Sequence, residues 1–434
     1  MRILIIGLNY APEPTGIAPY TTDLAEGLSR AGHGVRVITT YPHYPQWRFQ
    51  EGYNGLRSRE TLGGVTVTRL RHAVPWRPNS SLQRVFSELS FGLHAALMPW
   101  HHPDVVLTVS PALFASGIVA LRNRVSTRAP LAVWVQDLYG KGMSEADGKS
   151  SQAENLIVRG VTFVESAVLL AADGIAAIHD RFRASVLQLG VQDHRIEVIP
   201  NWSHLADREP TEDRADTRRR LRWGEDEIVV LHAGNMGAKQ GLESVIDAAL
   251  ALDDPARSAE LPAAAPRVRF VLMGHGNQRD ALHERAGASE HVHFEDPLPD
   301  DEYRSALRAA DILLVNERPG VREMCVPSKL TSYYSAGRPV IVATEAGSVS
   351  AMEIEVSGGG IRIDAGDPVA LIEAACALGN DPSSSSEIGA RGMAYRATNL
   401  MSANAILHFD QFLSNLFMAT AQSEQPAPYN DAKS

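Results

Sequence analysis

The sequence predicts an α/β protein composed of two Rossmann-like, doubly wound domains that face a central cleft. Twice, a short hydrophobic strand leads through a glycine-containing turn into an amphipathic helix. The first copy spans residues 1–38 with Gly16 in its turn, and the second begins with the strand 228–233 and the turn residue Gly234. Unpaired amides and the helix dipole attract anions, so each turn is a candidate phosphate site. The repetition predicts two nucleotide-type domains.

The first half of the chain alternates strands and helices. Ile17, Tyr20, Leu24 and Leu28 recur at helical spacing, and Gly32 ends this first helix. The other elements predicted in this half are the strands 35–38, 65–70, 105–109, 131–135 and 174–178 and the helix 156–172. This alternation indicates a parallel sheet with helices on both faces.

The second half repeats the alternation after a polar stretch that marks the domain junction. Its predicted elements are the strands 228–233, 268–273, 312–315 and 340–343 and the helices 242–252, 303–309 and 329–336. Residues 251–266, rich in alanine and proline, are predicted to be a loose surface insertion. The predicted organisation is a first domain over 1–203, a second over 204–403, a helix over 404–421 that returns to the first domain, and a disordered tail over 422–434.

Composition limits the class of protein. A chain of 434 residues with 44% hydrophobic and 21% charged residues fits a soluble globular protein of two domains. The net charge of −10 argues against a nucleic-acid partner. Cys325 and Cys376 are too few for a disulfide framework. There is no basic leader and no run of about 18 apolar residues, so we expect a cytoplasmic protein without a membrane span.

One segment of the first half carries many apolar side chains and few charges. Arginines flank it on the N-terminal side at positions 71, 77 and 84. The apolar residues are Leu82, Val85, Phe86, Leu89, Phe91, Leu93, Leu97, Met98 and Trp100. Two interpretations remain open. The segment is an ordinary helix packed on the sheet, or it is an interfacial helix that meets a membrane or a lipid-bearing substrate.

Lys239 lies in the glycine-containing turn that follows the strand 228–233. A fixed cation beside a glycine turn can neutralise a diphosphate as it leaves, although a solvated lysine in a loop is the alternative. The stretch 234–241 does not fit GxxxxGK[ST], which disfavours a P-loop ATPase. The first turn, between Gly7 and Gly16, does not fit GxGxxG, which disfavours a dinucleotide fold of the usual type.

A second feature lies before the helix 329–336. Ser328 is a candidate N-cap after Pro327, and Gly337 ends the helix. The amides of Lys329 and Leu330 would then face whatever lies in front of the helix. The alternative is a well-capped helix without a ligand.

Seven stretches, in order and over the whole chain up to the tail, resemble the GT-B glycosyltransferases of family 4. They are Pro12-x-x-Thr-Gly16 with Leu24-Ala-x-x-Leu28-x-x-x-Gly32-His33, Val135-Gln-Asp137, 171–175, Val198-Ile-Pro-Asn201, 234–241, Met273-Gly-His-Gly276, and Pro327-Ser-Lys-Leu330 through 336–340. Within the family the chain looks most similar to bacterial colanic-acid and O-antigen sugar transferases. That similarity rests on Asn9-Tyr10-x-Pro-Glu13, Tyr41-Pro-His-Tyr-Pro-Gln-Trp47, Pro200-Asn-Trp202 and Lys239-Gln-Gly-Leu242.

The resemblance implies a retaining enzyme of exopolysaccharide, O-antigen or capsule biosynthesis, with the acceptor on the first domain and the nucleotide sugar on the second. It implies that Asp137 acts near the sugar and that Lys239 holds the diphosphate. The implied donor-binding residues are Gly16, Gly234, Asn235, Lys239, Gly274, Gly276, Leu298, Ser328, Lys329, Leu330 and Ser332. Fixed cations and a helix dipole can stabilise the leaving charge, so we expect neither a metal nor a cofactor.

The acceptor side is predicted from Tyr41, Tyr44 and Trp47. Proline-stiffened aromatic rings make a rigid apolar wall that suits stacking on a sugar face, although a structural loop is the alternative. The resemblance favours a UDP-linked donor over a GDP-linked one and an acceptor saccharide linked to undecaprenyl diphosphate. It also favours contact with the inner face of the cell membrane.

The chain departs from the family pattern at several positions. Asn235 stands where many relatives have arginine, and Gln136 where they often have histidine. Met324 and Ser332 occupy the positions of two usual glutamates. The upstream charged residues that could replace them are Glu317, Arg318, Arg322 and Glu323. These departures keep two alternatives open: a sugar-nucleotide 2-epimerase of the same architecture, and a catalytically inactive GT-B partner protein.

Overall fold

The computed structural model describes residues 1–14, 16–77, 80–138, 152–203, 211–258, 260–321 and 328–423. The chain forms two compact units, one containing residues 1–200 and the chain after residue 401, the other containing residues 201–401. The sequence placed these junctions at 203/204 and 403/404. Each unit is built on a parallel sheet, which confirms the predicted α/β class with two doubly wound domains.

The sheet of the first unit has the strand order β3-β4-β2-β1-β5-β6-β7-β8. The strands are β1 Arg2–Ile6, β2 Gly34–Thr40, β3 Arg57–Leu62, β4 Val65–Leu70, β5 Val105–Val109, β6 Leu131–Val135, β7 Gly174–Ala177 and β8 Ile196–Val198. Only β3, which pairs with β4, is antiparallel within this sheet. The central strands β5 and β6 are buried along their whole length, as expected for parallel strands covered on both faces.

Helices cover both faces of this sheet. They are α1 Ala18–Arg30, α2 Ser81–Leu97, α3 Leu113–Arg122, α4 Gln152–Leu170, α5 Asp180–Gln188 and α15 Ser402–Ser423. The helices α2 and α3 share a core cluster with Leu4 and Ile6 of β1. The C-terminal helix α15 packs on the other face, where the ring of Phe409 lies 4.8 Å from that of Trp134.

The second unit has the strand order β11-β10-β9-β12-β13-β14. Its strands are β9 Ile228–Ala233, β10 Val268–Met273, β11 Val292–Glu295, β12 Ile312–Asn316, β13 Val340–Ala343 and β14 Gly360–Ile363. Its helices are α6 Arg214–Arg220, α7 Glu243–Asp253, α8 Pro255–Ser258, α9 Arg279–Ala286, α10 Asp300–Ala309, α11 Ser328–Tyr333, α12 Val349–Ser357, α13 Pro368–Asn380 and α14 Pro382–Asn399. Val230 and Val229 enter separate core clusters, because successive side chains of a strand point to opposite faces.

Two expectations about irregular segments need correction. The stretch 251–266 is a surface segment only in its middle: residues 254–257 are exposed, whereas α7 continues to Asp253 and the side chains of Ala264 and Ala265 are buried in the core. Small side chains suit this close packing, which the composition alone does not distinguish from a loop. The predicted tail begins too early, since α15 continues to Ser423, and residues 424–434 lie outside the described part of the chain.

The apolar segment forms helix α2, which packs one side on the rest of the unit and leaves the other side exposed. Phe91, Gly92 and Ala95 are buried. A methyl group added at Gly92 would lie 2.8 Å from the Cα of Ala115, so α2 and α3 approach closely there. On the opposite side, an apolar stripe is exposed, consisting of Leu82, Phe86, Leu93 and Leu97. Their spacing of four, seven and four residues places all four side chains on one side of the helix.

Candidate functional site

The carboxyl edge of the second sheet ends in two glycine turns that touch each other. The strands β9 and β10 pair in a register that places Ala233 beside Met273. The next residues, Gly234 and Gly274, therefore lie side by side. Their φ angles of 138° and 136° are easy for glycine and rare for other residues. A methyl group added at Gly274 would overlap the carbonyl oxygen of Gly234. The two turns therefore touch each other directly, backbone against backbone.

The same turns interlock again at Gly276. A methyl group at Gly276 would overlap the carbonyl oxygen of Met236. The amide of Met236 donates to the carbonyl oxygen of His275 at 2.8 Å, and the amide of Gln278 donates to that of Met236 at 3.0 Å. The Met236 side chain is buried beneath. The structure thus brings together the three glycines predicted to bind the donor in this unit.

Lys239 stands on a turn whose backbone is held from the neighbouring strand. Its carbonyl oxygen accepts a hydrogen bond from the amide of Arg318 at 2.9 Å, and that of Gln240 accepts one from the side-chain amide of Asn316 at 2.7 Å. The Lys239 side chain is exposed, and its ammonium has no hydrogen bond or ion pair within the described residues. The backbone at Lys239 is therefore held in place, while its ammonium group is available to an anionic ligand.

A second cation reaches these turns from α11, where only the backbone of Lys329 was predicted to act. A methyl group added at Gly234 would lie 2.9 Å from Cε of Lys329 and 3.9 Å from its Nζ. The residue after Gly234 is Asn235, the neutral residue at the position where the resemblance expects arginine. Lys329 therefore brings positive charge close to the place from which that arginine is missing.

Tyr333 explains why Lys329 lies over the end of β9. Its buried hydroxyl accepts a hydrogen bond from the amide of Ala233 at 2.8 Å and donates one to the carbonyl oxygen of Ala233 at 3.2 Å. Residues four apart lie on the same face of a helix. Lys329, one turn before Tyr333, is consequently held over Gly234. The spacing of the two side chains was visible in the sequence, but the strand that they face was not.

Below these turns, His232 is completely buried in β9. Its Nδ1 lies 3.3 Å from the carbonyl oxygen of Leu314, and its Nε2 has no hydrogen-bond partner in the described part of the chain. Burial, and after it the charge of Lys329, holds the pKa of His232 well below its ordinary value of 6.5. The imidazole is therefore neutral and adds no positive charge at this edge of the sheet.

The remaining predicted donor residues differ in how they are placed. Leu298 is half-buried against the core. The side chain of Leu330 is buried, so only its backbone could face a ligand. Ser332 is half-buried, and its carbonyl oxygen accepts a hydrogen bond from the Ser335 hydroxyl at 2.6 Å. The predicted capping side chain of Ser328 lies outside the described residues, as do Arg322, Glu323 and Met324.

Glu317, one of the candidates to replace the missing glutamates, has a structural task of its own. One carboxylate oxygen accepts a hydrogen bond from the Ser350 hydroxyl at 2.6 Å, and the other accepts one from the Thr344 hydroxyl. Glu317 therefore braces the loops that follow β12 and β13. Arg318 is exposed beside it.

In the first unit, Asp137 lies just beyond the carboxyl end of β6. Its side chain is exposed, and one carboxylate oxygen accepts a hydrogen bond from the amide of Leu138 at 2.9 Å. Its carbonyl oxygen accepts one from the hydroxyl of Ser110, which follows β5, at 3.0 Å. Neighbouring strand ends thus position Asp137 at the edge where parallel sheets bind ligands.

A buried carboxylate organises the loop that contains the predicted acceptor wall. One oxygen of Glu13 accepts hydrogen bonds from the amides of His43 and Tyr44, each at 2.8 Å, and the other accepts one from the side chain of Asn9 at 2.8 Å. Only 3% of the Glu13 surface is exposed. Two backbone amides held by one carboxylate leave this loop little freedom.

The aromatic rings of this loop divide into an outer pair and an inner ring. Tyr44 and Trp47 are half-buried and meet edge to face with centroids 5.6 Å apart, and a methyl group added at Gly16 would lie 3.5 Å from the Tyr44 ring. Tyr41 is fully buried, with its hydroxyl donating to the carbonyl oxygen of Asn54 at 2.9 Å. The Tyr41 ring packs inward against Phe49 and Tyr53, so the partly exposed rings of the predicted wall are those of Tyr44 and Trp47. Tyr41 follows the buried strand β2 directly, which accounts for its burial.

Two buried histidines lie beneath the same loop. The rings of His43 and His72 are 4.5 Å apart, and neither nitrogen of His72 has a hydrogen-bond partner within the described residues. Burial lowers the pKa of His43, and it holds that of His72 well below 6.5. Burial therefore favours the neutral form of both imidazoles.

We expect the free energy of unfolding to fall as the pH drops below 6.5. In the unfolded chain His72 and His232 take up protons near pH 6.5, whereas burial prevents this in the folded protein. The unfolded state then binds more protons, which costs about 1.4 kcal/mol per pH unit for each histidine. Above pH 6.5 both are neutral in either state, and the folded protein keeps its full stability. Urea unfolding at several pH values measures the slope, and it should be shallower in His72→Leu. An equal slope in that variant would contradict the assignment.

The described residues contain neither a cluster suited to a metal ion nor a membrane-spanning helix. No group of three or more His, Cys, Asp or Glu side chains there is arranged to hold a metal ion. That the reaction needs neither a metal nor a cofactor stays a prediction. No helix in the described part of the chain has both the length and the apolar character needed to cross a membrane.

Two family models match successive halves of the chain. A model described as "Glycosyl transferase 4-like domain" matches residues 15–202, and one described as "Glycosyl transferases group 1" matches residues 227–381. A sequence relative is the putative colanic acid biosynthesis glycosyl transferase WcaI of Escherichia coli strain K12. It is 32% identical over 362 residues, which cover 80% of this chain and 84% of that protein.

Solved structures of the same fold are also similar. Sucrose-phosphate synthase from Thermosynechococcus elongatus superposes with a TM-score of 0.72 at 18% identity, over 96% of this chain and 100% of that one. HepE from Anabaena, in complex with UDP, gives a TM-score of 0.68 at 17% identity with the same coverage. HepE has also been solved with UDP-glucose. At these identities the likeness concerns the fold.

Proposed function

The chain belongs to the GT-B glycosyltransferases of family 4, and from that membership we propose that it transfers a sugar, with retention of configuration, from a UDP-linked donor to a lipid-linked saccharide. The name of the Escherichia coli relative supports a place in surface-polysaccharide biosynthesis. The complexes of the Anabaena structure with UDP and UDP-glucose support UDP over GDP. We propose undecaprenyl diphosphate as the carrier of the acceptor saccharide.

One observation carries the proposal for the donor. Lys329 lies against Gly234, and Lys239 is exposed on the turn that begins with Gly234. Gly274 lets the two turns touch each other, and Lys329 packs directly on Gly234. Lys239, five residues further on, has no partner of its own among the described residues. Phosphate oxygens favour such a pair of ammonium groups.

The proposed chemistry is stabilisation of charge on the leaving group. As the bond between the sugar and the diphosphate breaks, negative charge grows on the diphosphate. Lys239 and Lys329 are already in place, so they stabilise this charge without reorganisation. The amides of Lys329 and Leu330 at the start of α11 would add to this effect. In this proposal the protein needs neither a metal nor a cofactor.

Retention is proposed to follow from front-face attack by the acceptor hydroxyl. The leaving diphosphate takes the hydroxyl proton, so no protein base is required at that position. Asp137 is proposed to contact the donor sugar and to stabilise positive charge on it. A single carboxylate does not provide the pair that a double displacement of the glycosidase type uses. NMR analysis of the anomeric configuration of the product tests retention directly.

The outer aromatic pair is proposed to bind the acceptor. Tyr44 and Trp47 offer ring faces next to Gly16, and Glu13 holds their loop in place. Aromatic rings with little freedom bind sugar faces at a small entropic cost.

The experiment that tests the activity is incubation with a panel of nucleotide sugars in the absence of acceptor. A transferase should release nucleotide slowly by hydrolysis of its own donor. A 2-epimerase should return an isomer of the nucleotide sugar, and an inactive homologue should do neither. Calorimetric titration with UDP and GDP, run on the same preparation, distinguishes the base.

Membrane contact is proposed to occur through the apolar stripe of α2. Leu82 is 83% exposed and Leu97 77%, although α2 packs its other side into the core. An amphipathic helix with such a stripe can bury it at the boundary between lipid headgroups and acyl chains. Phe91 is not part of this surface, because it is fully buried, and its substitution would test folding instead.

We expect Phe86→Ser/Leu93→Ser to lower affinity for phosphatidylglycerol vesicles about tenfold or more, because two apolar side chains no longer enter the lipid. Sedimentation with vesicles measures the bound fraction. The matched control is Leu407→Ser/Met418→Ser, whose side chains have similar exposure, 53% and 52%, on α15 at the opposite face of the sheet. Equal vesicle binding by the two variants would exclude the stripe as the contact.

A further inference from the structure

The first unit contains a basic pocket that the proposed transfer reaction does not use. Its volume is about 330 Å³, and it lies between the edge of the first sheet and the chain that follows α2. Its lining includes Arg36, Arg57, Arg59, Thr68, Met98 and His101.

The sheet register explains why three arginines meet there. Ile38 pairs with Thr68, and Thr68 pairs with Arg59 on the antiparallel edge strand β3. Arg36 and Arg57 are each two residues from these positions, and residues two apart on a strand point to the same face. The three arginines therefore stand on one face of the sheet, Arg57 and Arg59 on β3 and Arg36 on β2, with β4 between them.

The positive charge of this pocket is not neutralised within the described residues. None of its lining residues is acidic, and none of the three arginines forms an ion pair there. Arg36 donates to the carbonyl oxygen of Trp100 at 3.3 Å, but its buried Nε has no hydrogen-bond partner in the described part of the chain. Burial, followed by the charge of Arg59, lowers the pKa of Arg36. An anion would relieve both the unpaired donor and the repulsion.

We propose that this pocket binds a phosphate group, and that the phosphate belongs to the headgroup of an anionic lipid. Arginine is suited to phosphate because its planar fork of N–H donors matches two phosphate oxygens. Three arginines around a space of this size can surround a single phosphate from two strands, β2 and β3.

Continuity with the apolar stripe identifies the lipid as the source of the phosphate. Leu97, the last residue of the stripe, precedes Met98 and Pro99, which line the pocket. Acyl chains beside the stripe would thus bring a headgroup to the arginines. Met98 to His101 connect α2 to the beginning of β5, at the amino edge of the sheet. Asp137 lies at the carboxyl edge, so the pocket is separate from the proposed chemistry.

The test compares Arg59→Ala with Arg30→Ala, each in the full-length chain carrying Lys239→Ala. The Lys239 substitution reduces phosphate binding at the proposed donor site. Arg30, on α1 of the same unit, is an exposed arginine with a long ion pair of 3.9 Å to Glu26, and its replacement by alanine removes the same charge. One arm titrates inorganic phosphate, and the other measures sedimentation with phosphatidylcholine vesicles that contain or lack phosphatidylglycerol. Thermal unfolding verifies that both variants are folded.

We expect Arg59→Ala to weaken phosphate binding about tenfold or more, since one charge-assisted contact is lost, while Arg30→Ala leaves it unchanged. Binding to phosphatidylglycerol vesicles should weaken in parallel, and Arg59→Lys should restore part of it. A loss in the phosphate arm alone would support the pocket and overturn the lipid source. Equal behaviour of the two alanine variants in both arms would overturn the proposal. Nucleotide release by a chain with native Lys239 reports separately on the transfer activity.

Discussion

Replacing Lys239 by alanine should lower the rate of sugar transfer about 100- to 1,000-fold while leaving the fold intact. The Lys239 ammonium is exposed and unpaired within the described residues, so its removal breaks no internal contact there. The loss appears in kcat more than in the KM for the donor, because charge on the diphosphate is greatest in the transition state. Initial rates with the donor identified by the panel measure both constants.

The control for this variant is Lys239→Arg, which keeps the charge on the same fixed turn and should retain part of the activity. The circular dichroism spectrum and thermal midpoint of Lys239→Ala should match those of the native chain. Full turnover by a purified and folded Lys239→Ala protein would refute the role of this residue.

Lys329 permits a sharper version of the same experiment. If both ammonium groups act on one diphosphate, Lys329→Met should also reduce kcat, and the double variant should depart from the product of the single effects. A second readout concerns His232, whose pKa is lowered partly by the charge of Lys329. Lys329→Met should raise that pKa, which NMR titration of the imidazole measures. Lys239→Ala should leave it unchanged, because burial and Lys329 are the causes that lower it.

The strand pattern predicted most of the sheet framework because buried parallel strands have a distinctive composition. The strands at 65–70, 105–109 and 268–273 were predicted with the bounds that the structure has. The edge strand β3 was not predicted. Its sequence, Arg-Ser-Arg-Glu-Thr-Leu, has no buried residue and no apolar alternation, and only pairing with β4 makes it a strand. Edge strands of this kind depend on a neighbour more than on their own residues.

The site shows the same division between local pattern and long-range contact. The glycines at 234, 274 and 276 were visible because each follows a hydrophobic strand. The ammonium of Lys329 was missed because its partner, Gly234, is brought to it through Tyr333 and not through sequence proximity. Similarly, Tyr41 was included in the apolar wall because its motif does not reveal which ring faces inward. In each case the missing information was the tertiary neighbour.

The largest effect on folding is expected from Gly274→Ala in the second unit. The new methyl group would overlap the carbonyl oxygen of Gly234, and the backbone would be strained at a φ of 136°. Relief requires the strand ends of β9 and β10 to separate, which disturbs the hydrogen bond of 2.8 Å from the Gly234 amide to Met273. We expect a destabilisation of about 4 kcal/mol or more, a substantial part of the stability of such a domain. Urea unfolding followed by tryptophan fluorescence measures it.

Two other glycines separate the causes of this effect. At Gly287 a methyl group would meet nothing within 4 Å, although φ is 57°, so Gly287→Ala reports strain alone and should cost about 1–3 kcal/mol. At Gly276 the methyl group would overlap the carbonyl oxygen of Met236, and no positive φ is involved, so Gly276→Ala reports overlap alone. Gly274→Ala should exceed both, because it combines the two causes. If it were no more destabilising than Gly287→Ala, the turns would not be locked together. The close backbone approach on which the donor site depends would then be refuted.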